Sequence, residues 1–185
     1  MILLTSFDTW LPSQRSNSSE DLLQALKHRW QTGKSTPPPA CTILHRLPVE
    51  TDRAFAEIMT AIDCHQAQWV VCCGMAESRR DLNLEWQAKK GNQILRTGID
   101  LAALSENLPR VRLSEDAGNF VCNALYFELL HYLQSLQATR IHQIPSIQAL
   151  FVHVPPLLET EQIPEQIPEI LHCFEQILTR MSRLE

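Results

Sequence analysis

The sequence predicts an α/β fold: a three-layer α/β/α sandwich with a mostly parallel central sheet. Three observations carry this. Continuous apolar runs such as ILLTSF, WVVCCGM and SIQALFVHVPP recur along the chain, and a strand apolar on both faces is one buried between two layers. Between these runs lie segments whose apolar residues are three and four apart, the spacing of one helix face. Runs and segments alternate, as they do when helices cover both faces of a parallel sheet. The 185 residues contain no linker, repeat or low-complexity tract, which fits a single domain over 1–185.

The elements follow in order. ILLTSF (2–7) is the first strand. NSSEDLLQALKHRW (17–30) opens with a capping-type Ser-x-x-Asp and carries Leu22, Leu23, Leu26 and Trp30 at helical spacing. GKSTPPPA is a loop, because proline fixes φ and lacks an amide proton. CTILHRLPV is a second strand. TDRAFAEIMTAIDCH (51–65) is a second helix striped by Phe55, Ile58, Met59 and Ile62, and WVVCCGM (69–75) is a third buried strand. DLNLEWQAKK and NQILRT read as shorter strands around a turn at Gly91. IDLAALSENL is a short helix and RVRL a strand. EDAGNFVCNALYFELLHY (115–132) begins an amphipathic helix with Val121, Leu125, Leu129, Tyr132 and Leu136 as its stripe. SIQALFVHVPP is the last strand, and a helix from about 161 to 182 ends the chain.

Composition narrows the function. The chain is 44% hydrophobic and has no apolar run near the length a membrane span needs. Its first residues lack the basic region of an export signal. The net charge of -5 is spread out with no basic stripe, which argues against nucleic acid. Six cysteines form neither a CxxC pair nor a disulfide framework, and the histidines are scattered. Reduced thiols in the cytoplasm, with no metal and no cofactor, are therefore expected.

Sites in open α/β sheets gather at the carboxyl ends of strands. That selects Phe7 to Trp10, Gly74 to Arg79, Asp116 to Cys122 and His153 to Pro156. Cys122 lies early in its helix, where unpaired amides favour negative charge, and such a position lowers a thiol pKa. Packing is the competing reading, since free cysteine is among the most buried residue types. His153 closes an apolar strand and is either a packed core histidine or a base able to take a proton from Cys122. On the alternating segment 82–87, Leu82, Leu84 and Trp86 face one way, and Asn83, Glu85 and Gln87 the other. Glu85 is either part of a solvated strand face or the third group that orients a histidine.

Several stretches resemble pyroglutamyl peptidase I, the pyrrolidone-carboxylate peptidases, a family of cytosolic cysteine exopeptidases. LLTSFDTW resembles the family's Thr-Gly-Phe-(Asp/Glu)-Pro-Phe-Gly-Gly. LPV at 47–49 matches a strand end. GMAESRRDLNLEWQAKK matches Gly-x-Ala-x-x-Arg followed by the catalytic glutamate, DAGNFVCN the nucleophile segment, and FVHVP the histidine segment. The resemblance implies a Glu85, Cys122 and His153 triad that removes N-terminal pyroglutamate from peptides through an acyl-enzyme. It implies a pocket formed by Phe7, Trp10, Asn17, Arg79, Phe120 and Val121. The implied partner is a peptide with N-terminal pyroglutamate, and a homo-oligomer is a further expectation; neither nucleic acid nor membrane is one. A hydrolase of the same scaffold acting on another acyl or N-terminal group, or a non-catalytic binding homologue, is the alternative. The chain departs from the family pattern at Ser6, at Thr9 to Pro12, at Met75 and in a shorter stretch between WQAKK and DLAAL.

Overall fold

The computed structural model describes residues 1–139, 147–157 and 166–183. Its elements are β1 (Ile2–Phe7), α1 (Ser18–Gln31), β2 (Cys41–Leu47), α2 (Thr51–His65), β3 (Trp69–Met75), β4 (Leu82–Glu85), β5 (Gln87–Lys90), β6 (Gln93–Arg96), α3 (Leu101–Ser105), β7 (Val111–Ser114), α4 (Val121–Thr139), β8 (Gln148–Val154) and α5 (Ile167–Met181). Six strands form one sheet in the order β2-β1-β3-β8-β4-β7, and β5 pairs with β6 in a separate two-stranded sheet. The four strands β2, β1, β3 and β8 are parallel, whereas β4 runs antiparallel to β8 and parallel to β7.

Period-2 alternation assigns the layers. Ile2, Leu4, Val71, Cys73, Leu84, Leu150 and Val152 pack with α1, α3 and α5. Leu3, Val70, Cys72, Ala149 and Phe151 pack with α2 and α4 on the other face. Helix α1 illustrates how sequence makes an element. Asn17 caps it by accepting from the Ser19 N–H, Glu20 and Asp21 sit in its first turn, and Leu22, Leu23 and Leu26 are fully buried. Each such leucine contributes about 1.5–3 kcal/mol by leaving water.

The sandwich and the mostly parallel sheet are as the sequence predicts. Three details differ. The stretch DLNLEWQAKK is two strands, because the chain leaves the main sheet at Trp86. The Trp86 N–H donates to the Ser114 carbonyl, and its own carbonyl accepts from Thr97 N–H. All four residues of β4 are buried, so the side carrying Asn83 and Glu85 is interior, covered by the α4 layer, and is no solvated face. The last helix starts at Ile167, and residues 161–165 of the expected span lie outside the described residues.

Candidate active site

Strands β1, β3 and β8 end together, and the segment leading into α4 closes over them. The result is a mainly apolar cleft of about 510 Å³, lined among others by Phe7, Trp10, Met75, Arg79, Phe120, Cys122 and His153. Phe7, Met75 and His153 obey the carboxyl-end rule. The segment 116–122 does not, because β7 runs against β8 and its following loop must return to the cleft. Asn17 and Val121 also line this space, so it brings together every pocket residue expected from the sequence.

His153 shares the α4 face of β8 with Phe151. Glu85 lies opposite Phe151, one strand away, and Asn83 opposite His153. Alternation therefore sets Glu85 diagonally below the imidazole, deeper in the sheet. His153 Nδ1 is 2.7 Å from Glu85 Oε1. A carboxylate only accepts, so the ring donates through Nδ1, which leaves Nε2 as the nitrogen able to exchange a proton with the cleft. Glu85 is wholly buried, and its Oε2 has no hydrogen-bond partner among the described residues. An orphaned buried acceptor costs about 1–3 kcal/mol, a cost that packing alone would not select. The Glu85 carbonyl accepts from Tyr126 Oη at 3.1 Å, which ties β4 to α4.

Cys122 is the second residue of α4 and only partly exposed. A Cβ built on Gly74 would stand 2.8 Å from Cys122 Sγ and 2.8 Å from Phe151 Cζ. Gly74 is the register partner of His153 on the adjacent strand. The thiol thus rests against bare glycine backbone, one strand spacing from the histidine. No hydrogen bond joins Sγ to the imidazole among the described residues; such contacts commonly tighten only with substrate.

The thiol itself overturns the sequence expectation of a lowered pKa. Burial pushes Cys122 up to about 12, Cys72 and the Glu85 carboxylate push the same way, and its own backbone N–H pulls back. Desolvation of the thiolate outweighs the helix start. A thiol shifted in this direction needs a base, and His153, which lines the same cleft, is the candidate.

Other expected residues take more particular places. The polar atoms of Asn17 are committed: Oδ1 accepts from Ser19 N–H and Oγ, while Nδ2 donates to the Asp8 carbonyl at 3.0 Å. It shapes the cleft wall by holding the 8–17 loop to α1. Arg79 Nη2 donates to Ser114 Oγ at 3.3 Å and to the Asp116 carbonyl at 3.2 Å, clamping the approach to α4. Trp10 and Phe120 are 44% and 84% exposed at the cleft mouth. Leu11 and Pro12 need no left-handed backbone, since among the described residues the non-glycine ones with positive φ are Arg46, Gln66 and Asn107; Gln14 Oε1 holds this loop by accepting from the Trp10 and Leu11 N–H groups. Ser6 is buried and donates to Glu20 while accepting from Arg46 N–H.

Sequence reasoning placed Gly74 in a strand-end segment but gave it no role; its close approach to Cys122 is visible only in the structure. The same reasoning missed Asn123, which follows the cysteine directly. Gln87 Nε2 donates to the Glu115 carbonyl at 3.0 Å, and nothing in the sequence pointed to that contact. Among the described residues no group of three or more His, Cys, Asp or Glu is arranged to hold a metal ion, and no helix is long and apolar enough to cross a membrane.

A buried carboxylate–imidazole pair below a cleft that also holds a cysteine on bare backbone defines a class, α/β proteins with a cysteine–histidine–acid constellation. Within that class the chain is similar to pyrrolidone-carboxylate peptidases. It is 28% identical to the pyrrolidone-carboxylate peptidase of Gloeobacter violaceus, over 85% of this chain and 82% of that protein. With the one from Brevibacillus brevis it is 26% identical, over 73% and 71%. In fold it matches the pyroglutamyl peptidase I of Bacillus amyloliquefaciens with a TM-score of 0.74, 19% identity, and 98% and 96% of the two chains covered. The pyrrolidone carboxyl peptidase of Thermococcus litoralis gives 0.71, 15%, 98% and 92%. No family model matches the chain.

Proposed function

We propose that this protein is a cysteine exopeptidase that removes N-terminal pyroglutamate from peptides. The observation that carries the reading is the buried Glu85–His153 pair opening into the cleft that Cys122 lines. Likeness to proteins named pyrrolidone-carboxylate peptidase supplies the substrate class.

In this reading His153 Nε2 takes the thiol proton as Sγ attacks the scissile carbonyl, and Glu85 stabilises the imidazolium from the far side. The imidazolium then gives its proton to the leaving amine. Water, deprotonated by the same nitrogen, releases pyroglutamate from the thioester and restores the thiol. Backbone N–H groups at the start of α4 are the donors available to the oxyanion. Phe7, Trp10, Phe120 and Val121 give the apolar walls a lactam ring requires, with Met75 lining the same cleft. Asn17 and Arg79 act through the loops they hold. The six free cysteines suit a reducing compartment, and we place the protein in the cytoplasm on that ground.

Release of a chromogenic amine from a pyroglutamyl derivative, with a free-glutamyl derivative as control, tests this. The lactam derivative should be favoured on the order of a thousandfold, because the open form brings an ammonium that an apolar slot leaves unpaired. Equal turnover of both, or turnover of neither, would remove the substrate assignment.

A further inference from the structure

We propose that Asn123 is a positioning residue, whose side-chain amide docks the start of α4, and so Cys122, onto the strand that continues from Glu85. The inference rests on the reading of Cys122 as nucleophile.

After Glu85 the chain passes through Trp86 into β5, whose partner β6 covers one edge. In an antiparallel ladder, residues alternate between those that exchange both bonds with the partner and those whose backbone groups face outward. Lys89, opposite Ile94, is of the outward kind. Its N–H donates to Asn123 Oδ1 at 2.9 Å, and its carbonyl accepts from Asn123 Nδ2 at 2.7 Å. The amide makes the two bonds that a neighbouring strand's peptide groups would make. Residues 85–89 and 115–126 are joined at two more places, Tyr126 Oη to the Glu85 carbonyl and Gln87 Nε2 to the Glu115 carbonyl. Of these three ties only Asn123 adjoins the nucleophile.

A bidentate contact fixes both the height and the rotation of the helix start relative to Glu85, and through Glu85 relative to His153. Without it the Lys89 groups turn to water and the thiol is free to drift from the imidazole. Misplacement by about 1 Å costs on the order of a hundredfold in rate. The exposed Lys90–Glu128 ion pair also joins β5 to α4, farther from Cys122, and serves as the control.

The experiment compares wild type with Asn123→Ala, Asn123→Asp and Glu128→Gln. Its readouts are kcat and KM on a pyroglutamyl arylamide, the iodoacetamide alkylation rate of Cys122 against pH, and Tm. Asn123→Ala should lower kcat about 10- to 100-fold with KM within about threefold, and slow alkylation near neutral pH by about tenfold. Asn123→Asp keeps the acceptor and loses the donor, so it should fall between. Glu128→Gln should match wild type. A lowered Tm with unchanged kcat and unchanged alkylation, or an equal loss in Glu128→Gln, would overturn the proposal. If Asn123→Ala does not fold, Asn123→Asp decides by the same readouts. Wild type inert toward the arylamide, with Asn123-dependent alkylation, would support the positioning role and overturn the substrate assignment. Active wild type with Asn123-independent alkylation and kcat would do the reverse.

Discussion

Replacing His153 with glutamine separates two ways of arming Cys122. One is a thiolate held by the helix start; the other is a neutral thiol served by a base. Burial places this thiol at about 12. Raised from 9.0, the buried thiol carries on the order of 1,000-fold less thiolate at neutral pH than an unperturbed one. A more basic thiolate is a better nucleophile, and a Brønsted slope of about 0.4–0.5 returns a factor of roughly 20. The His153→Gln protein should therefore alkylate at Cys122 about 50-fold more slowly than a free cysteine peptide. Its rate should climb about tenfold per pH unit up to at least about pH 9.5, where the peptide has already levelled off. Wild type, with His153 lining the same cleft as the thiol, should exceed the variant by a comparable factor near neutral pH if the imidazole serves as its base. Iodoacetamide labelling followed by mass spectrometry of the Cys122 peptide gives the rates, and circular dichroism checks the fold. A variant that alkylates as fast as the free peptide and levels off below about pH 8 would refute the reasoning. It would show that the helix start alone holds a thiolate against desolvation.

Gly74→Ala should cost about 1–3 kcal/mol in urea unfolding, and slow hydrolysis, because its Cβ meets Cys122 Sγ and Phe151 Cζ at 2.8 Å. Phe120→Ala should leave stability within about 0.5 kcal/mol, since the ring is 84% exposed, yet raise KM for the pyroglutamyl arylamide about tenfold through lost ring contact. Glu20 concerns pH. Burial raises its pKa, but hydrogen bonds from Ser6, Gln24 and His45, with attraction to His45, outweigh it, and the net shift is downward from 4.5. The stability it contributes is present above the unfolded value and is lost as pH falls through 4.5 and then through the lower folded value. Glu20→Gln should therefore be less stable near neutral pH, with a shallower acid loss between about pH 5 and 3 in urea titrations.

The layers were legible because their signals are local: continuous apolar runs for strands between helices, and 3.6-residue stripes for α1 and α2. The break at Trp86 was not, since its cause lies in partners from Ser114 and Thr97, distant in sequence. The residues that the resemblance assigns to a pocket all line the cleft. Their division of labour was not legible: Asn17 reads as a substrate contact until its amide is seen to be spent on Ser19 and Asp8. For Cys122, the helix-start argument counted a dipole that sequence reveals and omitted a burial that only packing reveals. Glu85 was assigned to the right side of its strand, but only the covering by α4 makes that side interior.

The two-residue turn of the β5–β6 hairpin, Gly91 and Asn92, has an evolutionary consequence. Gly91 sits at φ 57°, the turn is exposed, and the hairpin belongs to a sheet separate from the one that holds Glu85 and His153. Residues can be gained or lost there without shifting Glu85 or Lys89, the anchor of the Asn123 contact, since both precede the turn. Lineages can lengthen or trim this point while the chemistry stays in place, and an engineer seeking a port for an inserted reporter domain would choose it for the same reason.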